Sequence, residues 1–291
     1  MDTASDLQQD VYPGYTQAQL DLAFSQRDWA ANTDQILARW AAGANAAKAA
    51  SPGYREFHYG SGSDERIDLY PALGRSSYAH FHIHGGAWRS QSKEDCAFLA
   101  PVMQSAAVDF VVPDFGKLPV SSLSHVLAQI IRALLWTYDS QVRTGKTEKI
   151  LISGHSSGAH MAALLSMQDW RSHGVDPEVF LGAVCISGVY DLEPVLLSSR
   201  RSYIHLREGE ADSLSPIRHV SRTSMPMHVL YGTDESPEFI RQARAFSDAL
   251  QREGKLTGCV EYEGKNHFET LDALADPSET ITQYVLGLLA K

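Results

Sequence analysis

Cysteine is scarce in this 291-residue chain, and its placement gives no sign of disulfide bonds. The three cysteines, Cys96, Cys185 and Cys259, lie far apart and form no C-x-x-C pair. An odd, scattered set argues against a disulfide framework or a zinc knuckle and favours a reducing compartment. We therefore expect a cytoplasmic protein.

Positive charge and long apolar runs are also scarce. The formal net charge is −10, and Arg200-Arg201 is the only basic pair, which argues against a nucleic-acid partner. No run approaches the roughly 18 apolar residues of a membrane span. Met1 to Asp10 has no basic or apolar region of the kind found in signal peptides. We expect a soluble protein with a small-molecule partner, and we leave a homodimer open as its assembly.

Short apolar runs alternate with helical patterns along most of the chain. Two short strands near the N-terminus flank a Gly-Ser-Gly-Ser link, which indicates an antiparallel hairpin at a sheet edge. Strands that alternate with helices predict one α/β domain over residues 1–291, with a mostly parallel, doubly wound sheet and helices on both faces. The predicted strands span 55–59, 66–70, 78–84, 108–112, 150–152, 181–187, 227–231 and 257–262, and the main helices 121–143, 159–167, 237–253 and 280–289.

Two segments fall outside this alternation. Residues 15–50 have helical spacing but follow no strand, so we expect a helical lead-in that packs against the domain or over its mouth. Residues 190–224 form a long, charged excursion between two strands, which is the usual place for a small lid over the strand ends. A surface insertion without function is the alternative for this second segment.

A G-x-S-x-G pattern lies between a predicted strand and a predicted helix, over Gly154 to Gly158. In this context the pattern predicts a nucleophile elbow, a sharp turn that holds the serine hydroxyl out of the sheet. The flanking glycines leave room where a Cβ would clash, and the helix N-terminus favours developing negative charge. Ser156 is therefore the candidate nucleophile.

A serine nucleophile needs a base and a group that orients the base. His267 follows a predicted strand in a polar loop near the C-terminus, downstream of the serine, and is the candidate base. Asp234 lies three residues after the strand 227–231 and is the predicted acid. Asp191, after the preceding strand, is its rival, since some lipases place their acid there. Otherwise Asp191 would cap the first helix of the lid.

The segment His84-Gly85-Gly86-Ala87-Trp88 follows another predicted strand. It matches the H-G-G-x loop whose backbone N–H groups form an oxyanion hole together with that of the residue after the nucleophile. Glycines let the backbone approach a substrate closely. The predicted donors are thus the amides of Gly85, Gly86 and Ser157.

These motifs together resemble the α/β-hydrolase superfamily, its H-G-G esterase group, and more narrowly the kynurenine formamidase (arylformamidase) family. That family carries an H-G-G-x-W loop, a G-H-S-x-G-x-H elbow, a G-x-Y-D-L-x-P stretch and a terminal N-H-F. The matching segments here are 84–88, 154–160, 188–194 and 266–268. The loop Pro113 to Lys117 departs from the family, whose members commonly have a tyrosine there.

The resemblance implies a serine hydrolase that cleaves an N-formyl arylamine such as N-formylkynurenine through an acyl-enzyme, with neither a metal nor an organic cofactor. A short-acyl carboxylesterase is the main alternative, because the same machinery hydrolyses esters. A non-catalytic ligand-binding protein on this fold is a minor one. From position alone, we expect the substrate pocket to include His84, Trp88, His155 and Tyr190.

Overall fold

Eight strands form one mixed sheet in the computed structural model, which describes residues 9–290. The expectation made for Met1 to Asp10 therefore falls almost wholly outside the described residues. The strands are β1 Arg55–His58, β2 Arg66–Tyr70, β3 Tyr78–Ile83, β4 Val108–Pro113, β5 Lys149–His155, β6 Phe180–Ile186, β7 Met227–Gly232 and β8 Leu256–Tyr262.

The strand order confirms the predicted α/β sheet. The order across the sheet is β1-β2-β4-β3-β5-β6-β7-β8. Strand β2 runs antiparallel to both β1 and β4, and every other neighbouring pair is parallel. The antiparallel pair therefore lies at one edge, as the Gly-Ser-rich link indicates.

Ten α-helices accompany the sheet within residues 9–290. None of these helices has both the length and the apolarity that a membrane crossing would need. They are α1 Gln17–Ala23, α2 Thr33–Ala50, α3 Ala100–Ser105, α4 Leu123–Thr137, α5 Ser157–Ser166, α6 Leu192–Leu197, α7 Glu210–Ser213, α8 Pro237–Arg252, α9 Glu269–Asp272 and α10 Thr280–Leu289.

The helices cover both faces of the sheet. Ile150 and Ile152 of β5 belong to one buried cluster with residues of α4, α5 and α8, whereas Leu151 belongs to a second cluster with α2, α3 and α10. Successive side chains of a strand point to opposite faces. Burial of both faces explains why β5 is a continuous apolar run rather than an alternating one.

The helical lead-in is less regular than predicted. Helix α1 ends at Ala23, a 3-10 turn spans Gln26–Trp29, and α2 starts at Thr33. The side-chain amide of Gln26 is buried in this break, where it donates to Ala23 O and Ser236 Oγ. These contacts attach the lead-in to the loop that precedes α8.

The helical stretch over residues 93–105 was not predicted. It consists of a 3-10 segment, Lys93–Leu99, that continues into α3. Residues 96–100 are all buried, so five consecutive positions show no alternation of apolar and polar residues at a helical period. Its lack of a helical period explains why sequence reasoning missed it.

Candidate active site

Ser156 occupies a strained turn between β5 and α5. Its backbone lies at φ 57° and ψ −121°, a region that residues with a Cβ rarely adopt. Its N–H donates to Ile186 O of the neighbouring strand at 2.9 Å, which holds the turn in place. The side chain therefore leaves the carboxyl edge of the sheet, where parallel α/β proteins place their ligands.

The two glycines of the G-x-S-x-G pattern are required by close packing. A Cβ on Gly154 would lie 2.2 Å from Gly158 O, and a Cβ on Gly158 would lie 2.1 Å from Ile83 O. Strand β5, helix α5 and the end of β3 thus approach each other backbone against backbone. This crossing brings the loop after β3 beside Ser156.

Ser156, His267 and Glu235 form a hydrogen-bonded chain. His267 Nε2 lies 3.0 Å from Ser156 Oγ, and His267 Nδ1 lies 3.0 Å from Glu235 Oε2. The Nδ1–H of His267 donates a hydrogen bond to the Glu235 carboxylate. With the proton on Nδ1, Nε2 is free to accept a hydrogen bond from the Ser156 hydroxyl. All three residues are buried. The chain has the donor and acceptor order of a serine–histidine–acid triad.

The prediction of Asp234 as the acid is wrong by one residue. Asp234 is exposed, its N–H donates to Lys265 O, and its side chain accepts from Thr233 Oγ1. The turn after β7 thus directs Asp234 to solvent and the next carboxylate inward. The rival Asp191 instead caps α6, where it accepts from Glu193 N, and it also pairs with Arg218.

Glu235 is fixed by contacts that leave its second oxygen for His267. Its Oε1 accepts from Ser187 Oγ and from Gly232 N, each at 2.7 Å. Thr270 Oγ1 lies 2.8 Å from Ser187 Oγ and donates to His267 O. The acid and the imidazole loop therefore belong to one buried hydrogen-bond network.

His155 precedes the nucleophile and supports the imidazole from behind. Its Nε2–H donates to His267 O at 2.8 Å, and the two ring centroids are 4.7 Å apart. Burial lowers the pKa of His155 well below its usual range, and the nearby His267 lowers it further. A neutral His155 allows His267 to take up a proton without a like charge beside it.

The loop after β3 turns its backbone with three successive residues at positive φ. These are Gly86, Ala87 and Trp88, at 95°, 53° and 59°. A Cβ on Gly86 would lie 2.0 Å from Ser90 O, so this position requires glycine. The N–H of Trp88 donates to Ser157 Oγ at 3.2 Å, which ties the loop to the start of α5.

Four amides at this junction have no hydrogen-bond acceptor among the described residues: those of Gly85, Gly86, Ala87 and Ser157. Of the loop residues, Gly86 and Ala87 line the cleft that holds Ser156, whereas Gly85 packs against His155 O. Unpaired amides next to a nucleophile are suited to an oxyanion.

A cleft of about 810 Å³ opens above Ser156 and His267. One side is formed by the lead-in, which contributes Leu37 and Trp40, and Phe268 adds a further apolar surface. The charged side chains in its lining are Arg27, Arg89, Arg200 and Asp95. The cleft therefore combines aromatic surface with an excess of positive charge.

Of the four predicted pocket residues, only His155 lines this cleft. The predictions for His84, Trp88 and Tyr190 are wrong, because none of the three lines the cleft and each ring packs against other side chains of the protein. Trp88 packs edge-on against His160, and Tyr190 stacks on Phe246 at 4.1 Å between ring centroids. The positive φ of Trp88 turns its ring under α5 instead of toward the substrate side.

His84 has a supporting position beneath the loop. It stacks on Phe115 at 4.2 Å, its Nδ1–H donates to Gly85 O, and its Nε2 lies 3.2 Å from Asp114 Oδ1. Burial alone would raise the pKa of Asp114, but the contact with His84 and the charge of Lys117 hold it below its usual value. The loop over residues 113–117, which departs from the formamidase family, thus supports the glycine turn through its contacts with His84.

The sheet, the strained serine and the buried hydrogen-bond chain define an α/β hydrolase. In agreement, residues 80–270 match a family model described as alpha/beta hydrolase fold, and the chain belongs to this family. It is similar to the kynurenine formamidase of Danio rerio, with 27% identity over 94% of this chain and 96% of the fish protein.

Two further similar proteins are named as esterases. The esterase LipQ of Mycobacterium tuberculosis is 28% identical over 68% of this chain and 53% of its own length. The solved esterase of Pyrobaculum calidifontis superposes with a TM-score of 0.70 at 17% identity, over 88% of this chain and 91% of that one. At this identity, the similarity to the Pyrobaculum esterase shows a shared fold and no more.

Proposed function

We propose that the protein is a serine hydrolase that cleaves N-formyl arylamines such as N-formylkynurenine through a formyl-enzyme. Ser156 is the nucleophile, His267 the general base and Glu235 the acid that orients it. The hydrogen-bonded chain of these three side chains supports the assignment, with 3.0 Å at each step. The chemistry requires no metal or organic cofactor.

In the first half-reaction, Ser156 Oγ attacks the formyl carbon as His267 Nε2 takes the hydroxyl proton. The carbonyl π bond opens, and its oxygen becomes an anion in the tetrahedral intermediate. The intermediate then collapses: the C–N bond breaks, and His267 gives its proton to the leaving arylamine nitrogen. Glu235 stays ionised and stabilises the imidazolium between these two transfers.

In the second half-reaction, water replaces the arylamine. His267 removes a proton from the water as its oxygen attacks the formyl-enzyme. The bond between Ser156 Oγ and the formyl carbon then breaks, His267 gives its proton back to Ser156 Oγ, and formic acid leaves and ionises to formate in solvent. The free enzyme is restored in its original protonation state.

The amides of Gly86, Ala87 and Ser157 would bind the oxyanion in both steps. Gly86 and Ala87 line the cleft and have no acceptor among the described residues, and Ser157 begins α5. Loss of one such donor typically costs about 10²–10³ in rate. Gly85, which sequence reasoning included, would contribute by allowing the turn.

The single observation that favours a formamidase over a general esterase is the extent of the similarity. The formamidase relative matches almost the whole chain, lead-in included, whereas LipQ matches over about half of its own length. The lead-in supplies Leu37 and Trp40 to the cleft. These side chains and Phe268 would hold a flat aromatic leaving group. A short-acyl carboxylesterase remains the second candidate, supported by the sequence similarity to the esterase LipQ.

We also propose that residues 190–224 act as a lid and that the protein works in the cytoplasm. The segment carries α6 and α7 and contributes Arg200 to the cleft. The three cysteines are free thiols, which is compatible with a reducing compartment.

The decisive comparison is kcat/KM for N-formylkynurenine against that for p-nitrophenyl acetate, with Ser156→Ala as the control. We expect the higher value for the formamide, although the ester is chemically more reactive. A higher value for the ester, or no turnover of the formamide, would support the carboxylesterase. Activity that survives in Ser156→Ala would overturn the mechanism itself.

A further inference from the structure

Arg200 is a partly buried arginine in the wall of the cleft. Its Nη2 donates to Phe24 O at 2.7 Å, and no carboxylate of residues 9–290 lies within ion-pair distance of it. A guanidinium has five N–H donors in a planar fork, and this one side-chain hydrogen bond uses only one of them. The remaining donors have no protein acceptor among residues 9–290.

The guanidinium lies close to the reacting residues. It sits over the rings of Phe24 and Phe239, 5.2 and 6.0 Å from their centroids. Phe239 in turn packs edge-on against His267 at 4.9 Å. Arg200 is therefore separated from the candidate general base by a single aromatic ring.

The surrounding charges do not neutralise Arg200. Arg89, also in the lining, has no carboxylate partner among the described residues and lies over the Tyr203 ring at 4.6 Å. The carboxylate in the lining, Asp95, is engaged by Ser92, whose N–H and hydroxyl donate to it. A positive cleft on a chain of net charge −10 concentrates an anionic ligand where the surface would repel it.

We propose that Arg200 is a specificity residue that binds a carboxylate on the leaving-group side of the substrate, with Arg89 adding positive charge at the mouth. A planar fork pairs with a carboxylate through two parallel hydrogen bonds. The substrate class is then an acylated arylamine, or aryl ester, whose aryl group bears an acidic side chain. This inference rests on the proposed function for the position of the leaving group.

The test uses two matched substrate pairs. The first pair is an aryl formamide with an ortho side chain that ends in a carboxylate, and the same compound with a primary carboxamide end. The second pair is the corresponding two aryl acetates. The enzymes are the wild type, Arg200→Gln, Arg200→Lys and Arg201→Gln. Arg201 is the control, because it is adjacent but exposed and lies outside the cleft lining.

We expect the wild type to prefer the carboxylate member of each pair. Arg200→Gln should lower kcat/KM for that member by about 10–100-fold, chiefly through KM, since hydrogen bonds between charged groups are the strong ones. The carboxamide member should change little. Arg200→Lys should retain part of the preference, because it keeps the charge but not the fork. Arg201→Gln should behave as the wild type.

An equal loss on both members of a pair would overturn the proposal and indicate that Arg200 only anchors the lead-in. If Arg200→Gln does not fold, the comparison of the wild type with Arg200→Lys still tests the proposal. A wild type that shows no preference for the carboxylate member of a pair overturns it. The acetate pair gives the same answer if the formamide is not a substrate. Failure of the proposed function is therefore distinguishable from failure of this inference.

Discussion

Two consecutive carboxylates follow β7, and only the second faces His267. Asp234 is exposed, whereas Glu235 is buried and accepts hydrogen bonds from Ser187 and Gly232 on its other oxygen. At the level of single residues, Glu235 is therefore the carboxylate that contacts Nδ1 of the His267 imidazole.

Substitution of the two carboxylates separates their roles. Glu235→Gln should lower kcat by on the order of 10³–10⁴, because a side-chain amide can donate to Nδ1 and fix the wrong tautomer. Asp234→Asn should leave kcat within about twofold, as expected of an exposed surface position. Steady-state kinetics of both variants with one substrate, beside the thermal midpoint of each, provide the measurement. A large loss in Asp234→Asn would restore the acid predicted from sequence.

Ser156, His267 and the glycine turn could be predicted because each belongs to a motif with a fixed structural context. The acid could not, since its motif is only a position after a strand, and a one-residue difference in the turn decides which carboxylate points inward. The pocket residues failed for a related reason. Trp88 and Tyr190 follow the right strands, but backbone turns and partners distant in sequence direct their rings into the core.

At the level of elements, the site depends on the close crossing of β3, β5 and α5. The glycines of the elbow permit this crossing, and Gly158 sits directly against Ile83 O. The lead-in helices contribute the opposite wall of the cleft. Sequence periodicity located these elements well, because buried strands and amphipathic helices have distinct apolar patterns. It missed the stretch 93–105, because the buried run over residues 96–100 has no helical alternation.

A pair of glycine substitutions tests this crossing. Gly158→Ala should lower the free energy of unfolding by about 3 kcal/mol, since the added methyl meets backbone that cannot move alone. Gly287→Ala is the matched control: Gly287 lies in α10, and a Cβ there meets nothing within 4 Å. That change should stabilise the protein by about 0.5–1 kcal/mol through helix propensity. Denaturant titrations measure both, and a neutral Gly158→Ala would contradict the packing described.

At the scale of the whole molecule, several histidines are buried within the fold. Burial lowers the pKa of His160 to about 4, partly offset by its hydrogen bond to Leu214 O, and it lowers the pKa of His80 to about 3. The unfolded chain binds protons on these rings near pH 6.5, whereas the folded chain does not. The unfolded state thus binds more protons below that pH, so stability must fall as the pH falls.

The free energy of unfolding should therefore decrease from about pH 6.5 down to about pH 4, where His160 begins to titrate in the folded state. His160→Gln should flatten this slope. The variant lacks the loss in the free energy of unfolding that His160 causes at acid pH, which amounts to about 3 kcal/mol at most. Denaturant titrations at a series of pH values measure the slope. A slope that is unchanged in His160→Gln would mean that His160 does not remain neutral in the folded protein.

The proposed mechanism requires that one serine, Ser156, is activated by His267 and performs covalent catalysis. The most direct measurement is labelling by a fluorophosphonate, with the modified peptide identified by mass spectrometry. We expect a single adduct on Ser156, with labelling that N-formylkynurenine slows as a competing substrate and that His267→Ala slows by on the order of 10³-fold or more. Labelling at another residue, or the same rate in His267→Ala, would contradict it.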